Sequence, residues 1–220
     1  MDFETFEKIY RSRSIIHKML SLRGYSLKKF ENQTKEELNI LFQNHQKKIN
    51  YEIDSLDMML EKDGNKLLVK YILSERVKSS NLEKLVDTMY EETLSPSDTL
   101  ILITKDYVLK TRDSNKSKSA LEEFLAQKYL TQQKFIQIFW LNALLFDITE
   151  SELTPSYTIL NEEEKQKVLD RYHVTEDKIE NVLFTDPLAN FYGVQIGSMV
   201  KAEEVSETTG FNTFYKLCIA

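Results

Sequence analysis

One cysteine, three histidines, three prolines and five glycines are all that this 220-residue chain holds of the residues that staple, ligate or punctuate a fold. Cys218 cannot close an internal disulfide by itself, so nothing points to secretion. His17, His45 and His173 stand far apart, and with one thiol they leave no spacing for a structural zinc site. The scarcity of glycine and proline argues against collagen-like, linker-dominated and many-stranded sandwich architectures. No apolar run approaches the ~18 residues of a membrane span. The opening Met1-Asp2-Phe3-Glu4 runs straight into a charged amphipathic pattern without a signal peptide's apolar core, so a soluble, intracellular protein is expected.

Motifs of catalysis are missing as well. The chain has no G-x-G-x-x-G or Walker A segment to cradle phosphate, no G-x-S-x-G and no H-E-x-x-H, so no cofactor and no metal are expected. Asp54 and Asp57 read as a solvated turn or helix face rather than a carboxylate dyad. A metal-dependent nuclease would carry an acidic residue and a Glu-x-Lys at the ends of neighbouring strands. Glu163-x-Lys165 has those letters but falls on a helix pattern late in the chain, and no strand pattern in the first part carries them.

What is present is the balance of an ordinary globular protein, 41% hydrophobic and 29% charged. The length allows one large domain or two small ones. The net charge of −6 is uneven: residues 151–220 hold 6 Lys/Arg against 12 Asp/Glu, whereas residues 1–150 hold 23 of each. A nucleic-acid contact therefore belongs to the first part, through a local patch rather than a basic surface.

Along the chain, residues 3–22 read as one amphipathic helix, with Phe6, Ile9, Ile16 and Leu20 at helical spacing and Arg11 and Lys18 opposite. Arg13 falls within the apolar stripe, either snorkelling or pairing at the domain edge, or touching a partner. Gly24 suits a left-handed cap. Thr34 and Glu37 form a capping box for a second helix running to about Phe42. Residues 44–65 carry no clear pattern. Strand-like runs at Lys66–Leu73, Thr99–Thr104 and Lys134–Leu141 then alternate with helical stretches at Leu82–Leu94 and Ala120–Leu130. That rhythm predicts a small parallel or mixed sheet flanked by helices, an α/β domain over residues 1–146.

Asp147–Ser156, with Pro155, reads as a hinge into a compact α+β domain over residues 147–220. Asn161 and Glu164 cap a helix, Glu162–Tyr172, expected to bury Val168, Leu169 and Tyr172. A single turn starts at Thr175. Asp186-Pro187 starts a short helix that Gly193 ends. Ser198–Val205 and Thr213–Ile219 alternate as two strands joined through Ser206–Gly210. One polar segment could meet nucleic acid: Arg112, Lys116, Ser117, Lys118 and Ser119 precede a helix start and read either as a phosphate site or as a solvated loop.

The run Asp186-Pro187-Leu188-Ala189-Asn190-Phe191-Tyr192-Gly193, then Gly197, Val200 and Lys201, then Ser206-Glu207-Thr208-Thr209-Gly210 and Tyr215, resembles one polymerase family. It is the fifth-largest subunit shared by the eukaryotic nuclear RNA polymerases, whose archaeal counterpart matches the C-terminal domain and lacks the N-terminal one. Thr149, Glu152, Leu153 and Pro155, followed by Leu160, Glu164, Lys165, Leu169, Arg171 and Tyr172, resemble the segment leading into that domain. Arg23-Gly24-Tyr25 after a long first helix resembles the start of the eukaryotic subunit. The similarity is dense over about residues 147–217 and thin but collinear before it.

The resemblance implies a non-catalytic subunit without cofactors. Its N-terminal jaw would help hold downstream duplex DNA, and its C-terminal assembly domain would dock on the largest subunit among the polymerase core subunits. It marks Arg171, Tyr172, Asp186, Pro187, Tyr192, Gly193, Gly197, Ser206, Glu207, Thr208, Gly210 and Tyr215 as interface candidates. It also places the Lys116–Ser119 segment near DNA. Departures occur at Ile179-Glu180-Asn181-Val182, where family members carry a Leu-Pro-Arg-Ile-like segment. Phe211 and Lys216 stand where Arg is common, so a bidentate fork is lost. These departures mark a divergent copy, encoded by a large DNA virus with its own polymerase or by a fast-evolving eukaryote. The matching compartments are viral factory and virion, or nucleus. The competing reading is a free-standing interaction module that docks a regulator.

Overall fold

The computed structural model describes residues 3–30, 33–45, 54–73, 79–105, 120–206 and 210–220. The chain divides into two compact units, Met1–Phe146 and Asp147–Ala220. Its class is mixed α+β, with one four-stranded mixed sheet in each unit.

In the first unit, helix α1 (Phe3–Leu22) buries Phe6, Ile9, Ile16, Met19 and Leu20 along one stripe. Gly24, at φ 82°, ends it, and Tyr25 N–H bonds back to Leu20 O at 3.0 Å. Helix α2 (Lys35–His45) starts on the expected box, Glu37 N–H to Thr34 Oγ1 at 3.2 Å and Thr34 N–H to Glu37 Oε2 at 3.0 Å. It runs three residues past Phe42. Then come β1 (Met58–Lys62), β2 (Asn65–Ile72), α3 (Ser79–Glu92), β3 (Thr99–Thr104), α4 (Ala120–Gln132) and β4 (Phe135–Trp140).

Strand order is β1-β2-β3-β4; β1 is antiparallel to β2, and β2, β3 and β4 are parallel. Parallel connections cross over with a right hand as a rule, so two that add strands in one direction are expected to set α3 and α4 on one face, and the two helices touch. Leu67–Ile72, Leu100–Thr104 and Phe135–Phe139 are buried without alternation, as strands covered on both faces must be. The other face falls to α1, tied to the sheet by Ser12 and Tyr71, whose hydroxyls lie 3.1 Å apart. Ser12 spends its proton on Ile9 O at 2.8 Å, so Tyr71 is the donor between them.

Strand β1 lies inside the stretch that carried no clear pattern. It is joined to β2 by Asp63 and Gly64 alone, both at positive φ (53° and 81°), the two-residue hairpin turn that Asp-Gly favours. The signal was local and present in the letters. Arg13 neither reaches solvent nor waits for a partner. It is 3% exposed and donates to Leu56 O at 2.9 Å and Gln33 Oε1 at 2.7 Å, bracing the turn before β1 against α1.

The second unit comprises β5 (Ser156–Ile159), α5 (Glu162–Tyr172), a 3-10 turn Glu176–Lys178, β6 (Glu180–Leu183), α6 (Pro187–Tyr192), β7 (Met199–Ser206) and β8 (Gly210–Ile219). Strand order is β5-β7-β8-β6, with β6 parallel to β8 and the other pairs antiparallel. The four-residue strands β5 and β6 were not anticipated; each is too short to show a period against its surroundings. Tyr172, expected in the core, is 53% exposed, and Lys165 is buried on that helix instead.

Candidate functional site

Among the described residues, no group of three His, Cys, Asp or Glu side chains is placed to hold a metal ion, and no helix is long and apolar enough to cross a membrane. Arg112, Lys116, Ser117, Lys118 and Ser119 lie outside the described residues, as do Glu207 and Thr208. The remaining candidates all belong to the second unit.

These interface candidates separate onto the two faces of the second sheet. On one face, α6 packs Leu188 and Ala189 against Val200, Ala202, Cys218, Val182 and Tyr157. On the other, α5 packs Val168 and Leu169 against Met199, with Tyr215 alongside. The neighbours Met199 and Val200 point opposite ways because strand side chains alternate. The candidates thus make two surfaces rather than one.

The α6 surface is built by capping. Asp186 accepts from Leu188 N–H at 2.9 Å and Ala189 N–H at 3.1 Å, and the exposed Pro187 occupies the first helical position, where no N–H is needed. Gly193, at φ 73°, reverses the chain after two turns, which an L side chain would resist. Tyr192 is half-buried, its ring 5.7 Å from that of Tyr157 and 6.0 Å from Phe191. Burial pushes the Tyr157 phenol up, with Asp186 adding to the shift.

The α5 surface is aromatic and cationic. The Tyr172 and Tyr215 rings are 5.8 Å apart, and the Arg171 guanidinium lies 5.8 Å from the Tyr172 ring. Tyr172 is exposed and Tyr215 half-buried beside it; Tyr and Arg are the residue types enriched among those that dominate binding energy at protein interfaces. Gly197 stands apart at the entry to β7. Its carbonyl accepts from Lys165 Nζ at 3.1 Å, and its N–H donates to Cys218 O at 2.8 Å. Ser206 and Gly210 face each other at the end of the β7–β8 ladder that adjoins residues 207–209.

That ladder also carries exposed apolar residues that the pattern of the letters did not single out. Val205 and Phe211 pair across the strands at 67% and 75% exposure, with Phe214 a further exposed ring. Their signal was available, since three apolar side chains flank a polar turn with nothing in the local pattern to cover them. Lys165 figured in the sequence as part of a Glu-x-Lys letter match and of the resembling segment; in the fold it is the strut between α5, Gly197 O and Glu176.

Fold and surfaces together define a two-unit α+β protein whose acidic second unit presents aromatic, helix-capped surfaces suited to protein association. Residues 146–218 match the family model described as RNA polymerase Rpb5, C-terminal domain. The chain is 41% identical over 71 residues to DNA-directed RNA polymerase subunit Rpo5 of Methanosphaera stadtmanae, covering 92% of that protein and 32% of itself. It is 26% identical over 216 residues to the rpabc1 subunit of DNA-directed RNA polymerases I, II and III of Dictyostelium discoideum, covering 98% of this chain and 100% of that one. With RPABC1 of Caenorhabditis elegans, identity is 22% over 222 residues, 99% of this chain and 98% of the relative. The chain belongs to the Rpb5 family of RNA polymerase subunits, as a divergent member.

Proposed function

We propose that the protein is a non-catalytic structural subunit of a multisubunit DNA-directed RNA polymerase. Its second unit docks on the largest subunit, and its first unit helps hold downstream duplex DNA during transcription. The observation that carries this reading is the end-to-end similarity to a shared polymerase subunit, spanning both units. Chemistry and metal belong to other subunits in this reading. The acidic balance of residues 151–220 and the exposed Arg171 and Tyr172 beside half-buried Tyr215 suit a protein interface better than a phosphate backbone. The Arg112 and Lys116–Ser119 segment supplies cations for sequence-independent DNA contacts. The protein acts in the nucleus if cellular, and in the viral factory and virion if virus-encoded.

Affinity isolation of the tagged protein from its native source tests the assignment at ~0.5 M salt, which strips most phosphate-mediated contacts. Recovery with the two largest polymerase subunits in equal proportion is expected. Recovery alone, or with unrelated proteins, would overturn it in favour of a free-standing interaction module.

A further inference from the structure

Positive charge in the first unit is concentrated in one stretch. Residues 1–150 balance 23 Lys/Arg against 23 Asp/Glu, yet from Lys8 to Phe30 the chain holds seven Lys or Arg and no Asp or Glu. The fold occupies three of the seven. Lys8 pairs with Glu4 at 2.7 Å, Arg13 turns inward to Leu56 O and Gln33, and Arg23 donates to Gln137 Oε1 at 2.7 Å. Arg11, Lys18, Lys28 and Lys29 are exposed.

Arg11 and Lys18 stand about 10 Å apart along the axis of α1, with the exposed Ser14 between them on the same outward face. The inward side of that helix is pinned by Ser12 on Tyr71 and by Arg13 on Leu56 O, so the outward side chains project from a fixed support. Neither cation has a carboxylate of its own helix to answer. Glu7, four residues before Arg11, is taken by Lys35, and the positions three and four residues from Lys18 are Ser14, Ile15, Ser21 and Leu22. The last turn of α1 contains no basic residue, so the pair does not serve the helix dipole either. Residue types decide what such a face suits. Lysine is depleted at protein interfaces, whose energy comes from aromatic and Arg anchors. Lysines are three of the four exposed cations here, and the outward stripe of positions 11, 14, 15, 18 and 22 holds no aromatic residue. Cations and a hydroxyl spaced along a rigid helix are the set that positions a protein on a phosphate backbone without reading bases.

We propose that the outward face of α1, through Arg11, Ser14 and Lys18, holds the sugar-phosphate backbone of duplex DNA, with Lys28 and Lys29 adding charge past the end of the helix. The contact is independent of base sequence, and its residues are distinct from the Arg112 and Lys116–Ser119 segment. It deepens the reading of the first unit as the DNA-holding part of a polymerase subunit and rests on it.

The test uses polymerase isolated from its source with the full-length chain, wild type or variant, and measures binding of one fixed duplex DNA across a salt series. Arg11→Gln combined with Lys18→Gln should flatten the logarithmic salt dependence by about two units, ~0.9 for each lost phosphate contact. Subunit stoichiometry and thermal midpoint should stay those of the wild type. Arg11→Lys combined with Lys18→Arg keeps both charges and should keep the slope. Lys84→Gln, at an exposed lysine of α3, should leave the slope unchanged as well. An unchanged slope in the double glutamine variant, or the same change per charge in Lys84→Gln, overturns the α1 contact and leaves the subunit reading standing. A glutamine variant that stays out of the enzyme while the charge-keeping variant enters makes this face a protein-docking surface, which overturns the proposal too. Failure of the wild-type chain to assemble overturns the subunit reading and the inference with it.

Discussion

The ammonium of Lys165 donates to the carbonyl of Gly197 at 3.1 Å, joining α5 to the turn that enters β7, and pairs with Glu176 at 3.0 Å. Lys165→Met keeps the buried stem but leaves the Gly197 carbonyl without that donor. It should cost about 1–3 kcal/mol in urea unfolding of the second unit. Glu176→Gln, altering only the half-exposed partner, should cost below about 1 kcal/mol. Equal costs for the two would show that the Gly197 bond contributes nothing.

Asp186 satisfies two N–H groups of a helix only two turns long. Asp186→Ala should destabilise by about 1 kcal/mol, and Asp186→Asn by much less, because the amide oxygen still accepts. Gly193→Ala forces a methyl-bearing residue to φ 73° and should cost about 1 kcal/mol as well. Denaturant midpoints of the three variants rank these effects, and an alanine as stable as the asparagine at 186 would refute the cap.

Lys70, 3% exposed on β2, is paired with Asp57 at 2.9 Å. Asp57→Asn removes the carboxylate charge that faces the buried ammonium and should cost about 3 kcal/mol. Adding Lys70→Met to that variant removes the charge too, and should recover part of the loss. A double variant less stable than Asp57→Asn would mean that the lysine is stabilised by something other than this carboxylate.

Stability should fall on the alkaline side. Burial pushes the Cys218 thiol from its ordinary 9 up to about 12, with the Asp186 carboxylate adding to the shift. Burial likewise pushes the Tyr71 phenol from 10 up to about 12, against the pull of the Arg13 guanidinium. The folded chain keeps both protons where the unfolded chain releases them, so the stability is complete below pH 9 and is lost as pH rises towards 12. Each retained proton sets a slope of at most about 1.4 kcal/mol per pH unit. Cys218→Ala should delay the onset from near pH 9 to near pH 10. Urea midpoints that decline identically in both proteins would remove the thiol from this account.

If the first unit holds DNA through Lys116 and Lys118, replacing both with Ala should flatten the salt dependence of downstream DNA binding by the assembled enzyme. The expected change is about one unit of logarithmic slope per lost phosphate contact. An unchanged slope would remove the segment from the DNA-holding proposal.

Much of this architecture is carried by short-range signals. The capping boxes at Thr34 and Asn161, the Asp186-Pro187 start, the Gly193 stop and the unbroken apolar runs of β2, β3 and β4 all act within a few residues. Asp63-Gly64 belonged to the same class and was missed only because its flanking strand carried no clean alternation. Strands β5 and β6 are different. Four residues cannot encode a period, and they become strands because β7 and β8 offer them a ladder.

The capped helix starts at Lys35, Glu162 and Pro187, the strand–helix alternation of the first unit and the acidity of the second were all legible in the letters. Those outcomes depend on caps, turns and charge, which a chain reads locally. Which charged and aromatic side chains end up inside was settled by the packed fold. Arg13 is buried because Leu56 O and Gln33 come to it from elsewhere in the chain, and Lys165 because Gly197 does. Tyr172 is outside because α5 ends beside Tyr215 rather than over the core. The interface candidates divide between two faces because strand order is settled by long-range pairing. A side chain's propensity is a property of its neighbours in sequence; its burial is a property of whatever the fold brings against it.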